Sequence, residues 1–128
     1  MPLVEPVTEA VDEIRATFPS AAVSAREDGE GGAFVIVDPV ELGPPYVQET
    51  TWAGFRVTFQ YPYSDVYPVF VRGDLTRSDG NQLGEALTAS SFENRSAIQI
   101  SRRSNKLNPA TDTAAMKLLK VLEWLRTR

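Results

Sequence analysis

Gly54-Phe-Arg-Val-Thr-Phe-Gln-Tyr-Pro-Tyr-Ser-Asp-Val-Tyr-Pro-Val-Phe-Val-Arg72 decides the fold class. Phe55, Val57 and Phe59 alternate with Arg56, Thr58 and Gln60, the period-two pattern of a half-buried strand. Tyr61-Pro62 and Tyr67-Pro68 bracket a turn, because proline fixes φ and denies edge pairing. Val69 to Arg72 then reads as a second apolar strand. Strands joined by so short a connection favour antiparallel pairing.

Upstream, Ala21–Glu27 and Ala33–Asp38 are β-type runs around Asp28-Gly-Glu-Gly-Gly32, a hairpin signature with a loop longer than two residues. Phe34 to Val37 is apolar on both faces, which places this strand inside the sheet. Val4, Val7, Val11, Ile14 and Phe18 recur at helical spacing and predict a helix over about 6–17, with acidic residues in its first turns and Pro19 as its stop. Downstream, 39–46 is a proline-rich loop. Residues 73–95 are polar and glycine-rich, with Leu83, Leu87 and Phe92 as anchors; a connection this long is usually functional or mobile. Ala97-Ile-Gln-Ile-Ser101 alternates briefly. Asn108-Pro109 predicts a helix start, with Asn as N-cap and an apolar stripe from Met116 to Leu125. The expected architecture is one α+β domain over 1–128: a four-stranded antiparallel meander with an N-terminal and a C-terminal helix packed on one face.

The 128 residues are 42% hydrophobic and 23% charged, enough for one core without staples. Cysteine and histidine are both absent. That removes thiol nucleophiles, disulfides, Cys/His zinc sites and imidazole bases. An enzyme built from this chain would rely on carboxylates, lysine, tyrosine or hydroxyls, so the composition leans away from catalysis. No apolar run approaches a membrane span, and the first residues lack the pattern of a signal peptide. The expectation is a cytoplasmic protein with no cofactor and no membrane partner.

Charge is distributed unevenly. Residues 1–94 hold 5 basic and 15 acidic side chains, and residues 95–128 hold 8 basic and 2 acidic. The plainer reading packs a basic C-terminal region beside an acidic sheet. The sharper one is a basic patch of Arg102, Arg103 and Lys106 that docks an acidic partner. Nucleic acid is not expected, because the net charge is −4 and no aromatic platform is apparent near Arg102.

Three stretches resemble the ubiquitin-conjugating enzyme superfamily (UBC-like fold). Phe59 to Arg72 is similar to the family's proline-marked junction between its third and fourth strands. Ala97-Ile-Gln-Ile-Ser101 resembles its active-site segment. Lys106-Leu-Asn-Pro-Ala-Thr-Asp-Thr-Ala-Ala-Met-Lys-Leu-Leu resembles its Trp-Ser-Pro-Ala loop and the helix that follows. The resemblance runs from about 6 to 126. It implies a thioester-forming cysteine where this chain has Gln99, and an oxyanion-supporting Asn within a His-Pro-Asn motif, for which this chain offers only Asn94. A carboxamide is no nucleophile, and Ser96 and Ser101 have no histidine base. The resemblance therefore implies a catalytically silent variant of prokaryotic type. It would bind a ubiquitin-like modifier, an activating enzyme or an active conjugating subunit through Asn94, Gln99, Arg102, Arg103 and Lys106.

Two other readings stand beside it. One is a small α+β adaptor, chaperone or immunity-type binding module unrelated to ubiquitin, whose oligomeric state the sequence leaves open. The other is a carboxylate-based enzyme using Asp65, or Asp74 and Asp79. Asp74, Asp79 and Asn81 could also be set out as a metal site, but their spacing is that of a turn.

Overall fold

The computed structural model describes residues 2–128. Helix α1 (Glu5–Thr17) buries Val7, Ala10, Val11 and Ile14, the stripe its periodicity predicts. Six strands follow: β1 (Ala22–Glu27), β2 (Ala33–Glu41), β3 (Thr50–Val57), β4 (Val69–Arg72), β5 (Leu87–Phe92) and β6 (Arg95–Ile100). Helix α2 (Ala114–Arg126) closes the order. All pairings are antiparallel, in the spatial order β1-β2-β3-β4-β6-β5.

The α+β class is as expected, with two helices, but the sheet has six strands where four were predicted. The stretch 73–95 is not irregular throughout. Leu87 to Phe92 forms β5, and Glu93 and Asn94, at φ 48° and 65°, turn the chain straight back into β6. β5 escapes sequence reading because Thr88 to Ser91 are all exposed, so no alternation marks it. β3 also lies earlier than predicted. It starts at Thr50 and ends at Val57, leaving Phe59 outside the strand and 53% exposed.

The core lies between the helices and one sheet face. Val35, Val37, Phe55, Val57, Val69 and Val71 meet Ile14 of α1 and Leu118, Leu122 and Leu125 of α2. Burial at this scale contributes about 1.5–3 kcal/mol per large aliphatic side chain.

α2 begins later than Asn108-Pro109 suggests. Asn108 does cap a turn, its Oδ1 accepting from Ala110 N at 3.0 Å, but the helix is capped by Thr113, whose hydroxyl accepts from Met116 N at 3.2 Å. Two tyrosines hold its ends. Tyr61 Oη accepts from Ala114 N at 3.0 Å, and Tyr46 Oη donates to Leu125 O at 3.1 Å. Tyr61 satisfies an N–H that the helix start leaves without a partner, and Tyr46 adds a second donor to a carbonyl that also accepts from Arg128 N at 3.2 Å.

The other sheet face is covered by the chain itself. Phe70, Gly54 and Ile36 are cross-strand neighbours on it, as are Phe34 and Arg56. The tip of the β5–β6 hairpin arches over them. Phe92 stacks on Phe70 with centroids 4.9 Å apart and lies 6.2 Å from both Phe34 and Trp52. Gly54 makes room for it: a Cβ there would stand 2.6 Å from the Phe92 ring. Arg95 lies over Trp52, and Arg26 lies over Phe34 while pairing with Glu93.

Candidate protein-binding groove

The basic region was read from sequence; what organises it was not. Lys117 of α2 is 8% exposed and is held by four acceptors. Its ammonium donates to both Asp65 oxygens at 3.2 and 3.1 Å, to Arg102 O at 2.7 Å and to Ser104 Oγ at 3.1 Å. Asp65 in turn accepts from Ser104 N at 2.6 Å and Ser104 Oγ at 2.7 Å. Burial alone would raise the Asp65 carboxyl. The Ser104 and Lys117 donors outweigh it and hold the group below its ordinary value. This cluster fastens three segments together: the turn after β3, the loop after β6 and the first turn of α2.

Lys117, Lys120, Val121 and Trp124 share one face of α2 at helical spacing. The fastened loop brings Arg102 and Arg103 against that face, and together they line a groove of about 270 Å³. The Arg102 guanidinium lies 4.8 Å from the Trp124 centroid, and Arg128 covers the same indole at 4.7 Å. Arg103 lies 4.0 Å over Tyr67. The expectation that Arg102 lacks an aromatic neighbour is therefore corrected. Its partner is distant in sequence and arrives only through folding.

The ion pairs divide the chain. All five cations of residues 1–94 have carboxylate partners: Arg15 with Asp12, Arg26 with Glu93, Arg56 with Asp28 and Glu30, Arg72 with Asp74, and Arg77 with Asp79. Among the described residues of 95–128, only Lys117 has one. Among the described residues, the cations of the basic C-terminal region other than Lys117 are thus not paired with carboxylates of the sheet. Asp112 is the acid on the groove wall, and its carboxylate is engaged by Asn108 N at 2.8 Å.

The sequence-predicted residues do not form one cluster. Gln99 sits in mid-strand on β6, between Phe70 and Thr88, and its amide donates to Ser101 Oγ at 3.2 Å. Asn94 lies in the turn at the other end of β6. Lys106 is exposed in the loop, at φ 57°, and does not line the groove. Arg102 and Arg103 come together, joined by Trp124 and Lys120 of α2. The acids weighed for catalysis are kept apart, each beside its own cation. Arg72 holds Asp74, and Arg77 holds Asp79, below ordinary values. Among the described residues no cluster of three or more acidic side chains could hold a metal ion. No described helix is long and apolar enough to cross a membrane.

No family model and no solved structure matches the chain. It is similar to sortase SrtE2 of Streptomyces coelicolor, with 30% identity over 79 residues, covering 56% of this chain and 31% of that protein. The chain thus spans less than a third of the length of the curated relative it matches. These findings overturn the resemblance to the ubiquitin-conjugating superfamily, and with it the silent conjugation-pathway variant. The similarity found points to a different protein. The short motifs behind the resemblance are accounted for locally. Tyr61 caps α2, and Asn108 caps a single turn. Gln99 is one residue of a sheet ladder.

Proposed function

We propose that this protein is a binding module for an acidic segment of a partner protein, taken up in the groove between α2 and the loop after β6. The observation that carries the reading is a set of cations, Arg102, Arg103, Lys120 and Arg128, that have no carboxylate partner among the described residues, while two of them lie over the Trp124 ring. A guanidinium resting over an indole still has N–H donors with which to receive a carboxylate. The contact with the ring restrains the side chains before the partner arrives, so less entropy is lost on binding. The Lys117–Asp65 cluster contributes by holding the loop against the helix.

The test is a titration of the protein with a synthetic Glu/Asp-rich peptide, followed by Trp124 fluorescence in a Trp52→Phe background. The expected result is saturable binding that weakens steeply with salt. Arg102→Ala combined with Arg103→Ala should weaken it at least about tenfold, equivalent to about 1.4 kcal/mol. Equal affinity for a Lys-rich peptide of the same length, or an unchanged affinity in the double variant, would refute the reading.

A further inference from the structure

β5 is an edge strand whose outer side is bare. It pairs with β6 alone. The two-residue turn at Glu93-Asn94 makes Phe92 and Arg95 a hydrogen-bonded pair, and such pairs alternate along an antiparallel ladder. Thr88, Ser90 and Phe92 therefore bond inward to β6, while the N–H and C=O of Leu87, Ala89 and Ser91 point away from the sheet. Among the described residues no other group bonds to them.

The opposite edge is defended. α1 runs beside β1, Arg15 donates to the Val23 carbonyl at 3.4 Å, and Arg26 and Glu27 put charge on the strand itself. Exposed edges are ordinarily blunted by charge, proline, a bulge or a covering element. Leu87-Thr-Ala-Ser-Ser-Phe92 has no charge and no proline, and Thr88 to Ser91 are exposed.

We propose that the outer edge of β5 pairs antiparallel with the same edge of a second copy of this chain, across a two-fold axis. The chemistry of the strand selects this occupant. A neutral edge offers nothing to choose an acidic or a basic peptide, whereas an identical neutral strand meets it with no like charges opposed. The two-fold relation makes the register self-consistent. Ser90 of one copy faces Ser90 of the other, and Ala89 of one exchanges its N–H and C=O bonds with Ser91 of the other. The small side chains of Thr88 to Ser91 let the strands approach. One short ladder falls below the roughly 1,200 Å² of a strong interface, so the dimer is weak and reversible.

Sedimentation velocity on the whole chain, from about 1 µM to about 1 mM, tests the proposal over the range where weak interfaces form. A monomer–dimer equilibrium within that range is expected. Ala89→Lys should weaken it at least tenfold by opposing ammonium groups near the axis. Ser91→Pro should do the same by removing an outward donor that the monomer does not use. Both variants should melt within a few degrees of the parent, and Glu27→Lys on β1 should dimerise normally. A monomer at every concentration, or dimerisation untouched by Ala89→Lys, would overturn the proposal. Acidic-peptide binding is read separately and does not decide it.

Discussion

Arg26 and Glu93 belong to opposite edges of the sheet, yet two hydrogen bonds of 2.8 Å join them. Arg26 is on β1, the first strand in the spatial order, and Glu93 follows β5, the last. The pair forms because the hairpin tip folds across the sheet and carries Phe92 onto Gly54. The ring, more than the ion pair, stabilises this arrangement: Phe92 is 7% exposed, while the Arg26 side chain is 63% exposed.

Phe92→Ala should accordingly cost about 3 kcal/mol, the usual scale for emptying a buried aromatic site. Glu93→Gln should cost less than about 1 kcal/mol, because solvent screens an exposed guanidinium. Urea denaturation measures both. In a Trp124→Phe background, Phe92→Ala should also shift Trp52 emission to the red as water reaches the indole.

Lys117→Met should destabilise the protein by roughly 3 kcal/mol, because it leaves a largely buried carboxylate without its ammonium. Asp65→Leu combined with Lys117→Met should recover much of that loss, since a pair of apolar groups leaves neither charge stranded. The double-mutant comparison in urea separates the two outcomes. Acidic-peptide binding should weaken in both variants, because Arg102 loses the contact that places its backbone.

The same cluster sets a pH dependence. The folded-state value of Asp65 lies below the reference value of 3.8, so its stabilisation is fully present above about pH 4 and is lost as pH falls through the folded value. Asp28 acts in the same direction. Burial opposes its ionisation, but Glu30 N, Gly32 N and Arg56 donate to it and lower its value overall. Melting temperatures should therefore hold steady from pH 7 to about 5 and fall below about pH 4. In Asp65→Asn the acid-side fall should be shallower.

Tyr61→Phe and Tyr46→Phe should each cost about 1 kcal/mol, the usual net value of one hydrogen bond. Their signatures differ. Tyr61→Phe should speed amide exchange at Ala114, where the tyrosine oxygen covers the first N–H of α2. Tyr46→Phe should leave that amide protected while fraying the last turn.

The elements legible in the sequence are those whose local pattern and final burial agree. α1 shows its stripe in Val7, Val11 and Ile14, and β2 shows by Phe34 to Val37 that both its faces are occupied. β5 was illegible because an edge strand with four exposed small residues leaves no alternation to read. Asn108-Pro109 gave a true local signal, a capped turn, but the helix start was set by Thr113 and by Tyr61 from another part of the chain. The groove was half legible. Arg102 and Arg103 stand side by side in the sequence, whereas Trp124, Tyr67 and Asp65 join them only through contacts that no local spacing encodes.

The missing side chain at position 54 settles how many layers the molecule has. One methyl group there would occupy the space of the Phe92 ring, lifting the arm and baring Phe34, Trp52 and Phe70 as a continuous sticky plane. A chain with alanine at this position should fold its helices and sheet as before, yet clump on standing, because the surface it now hides would be turned outward to its neighbours.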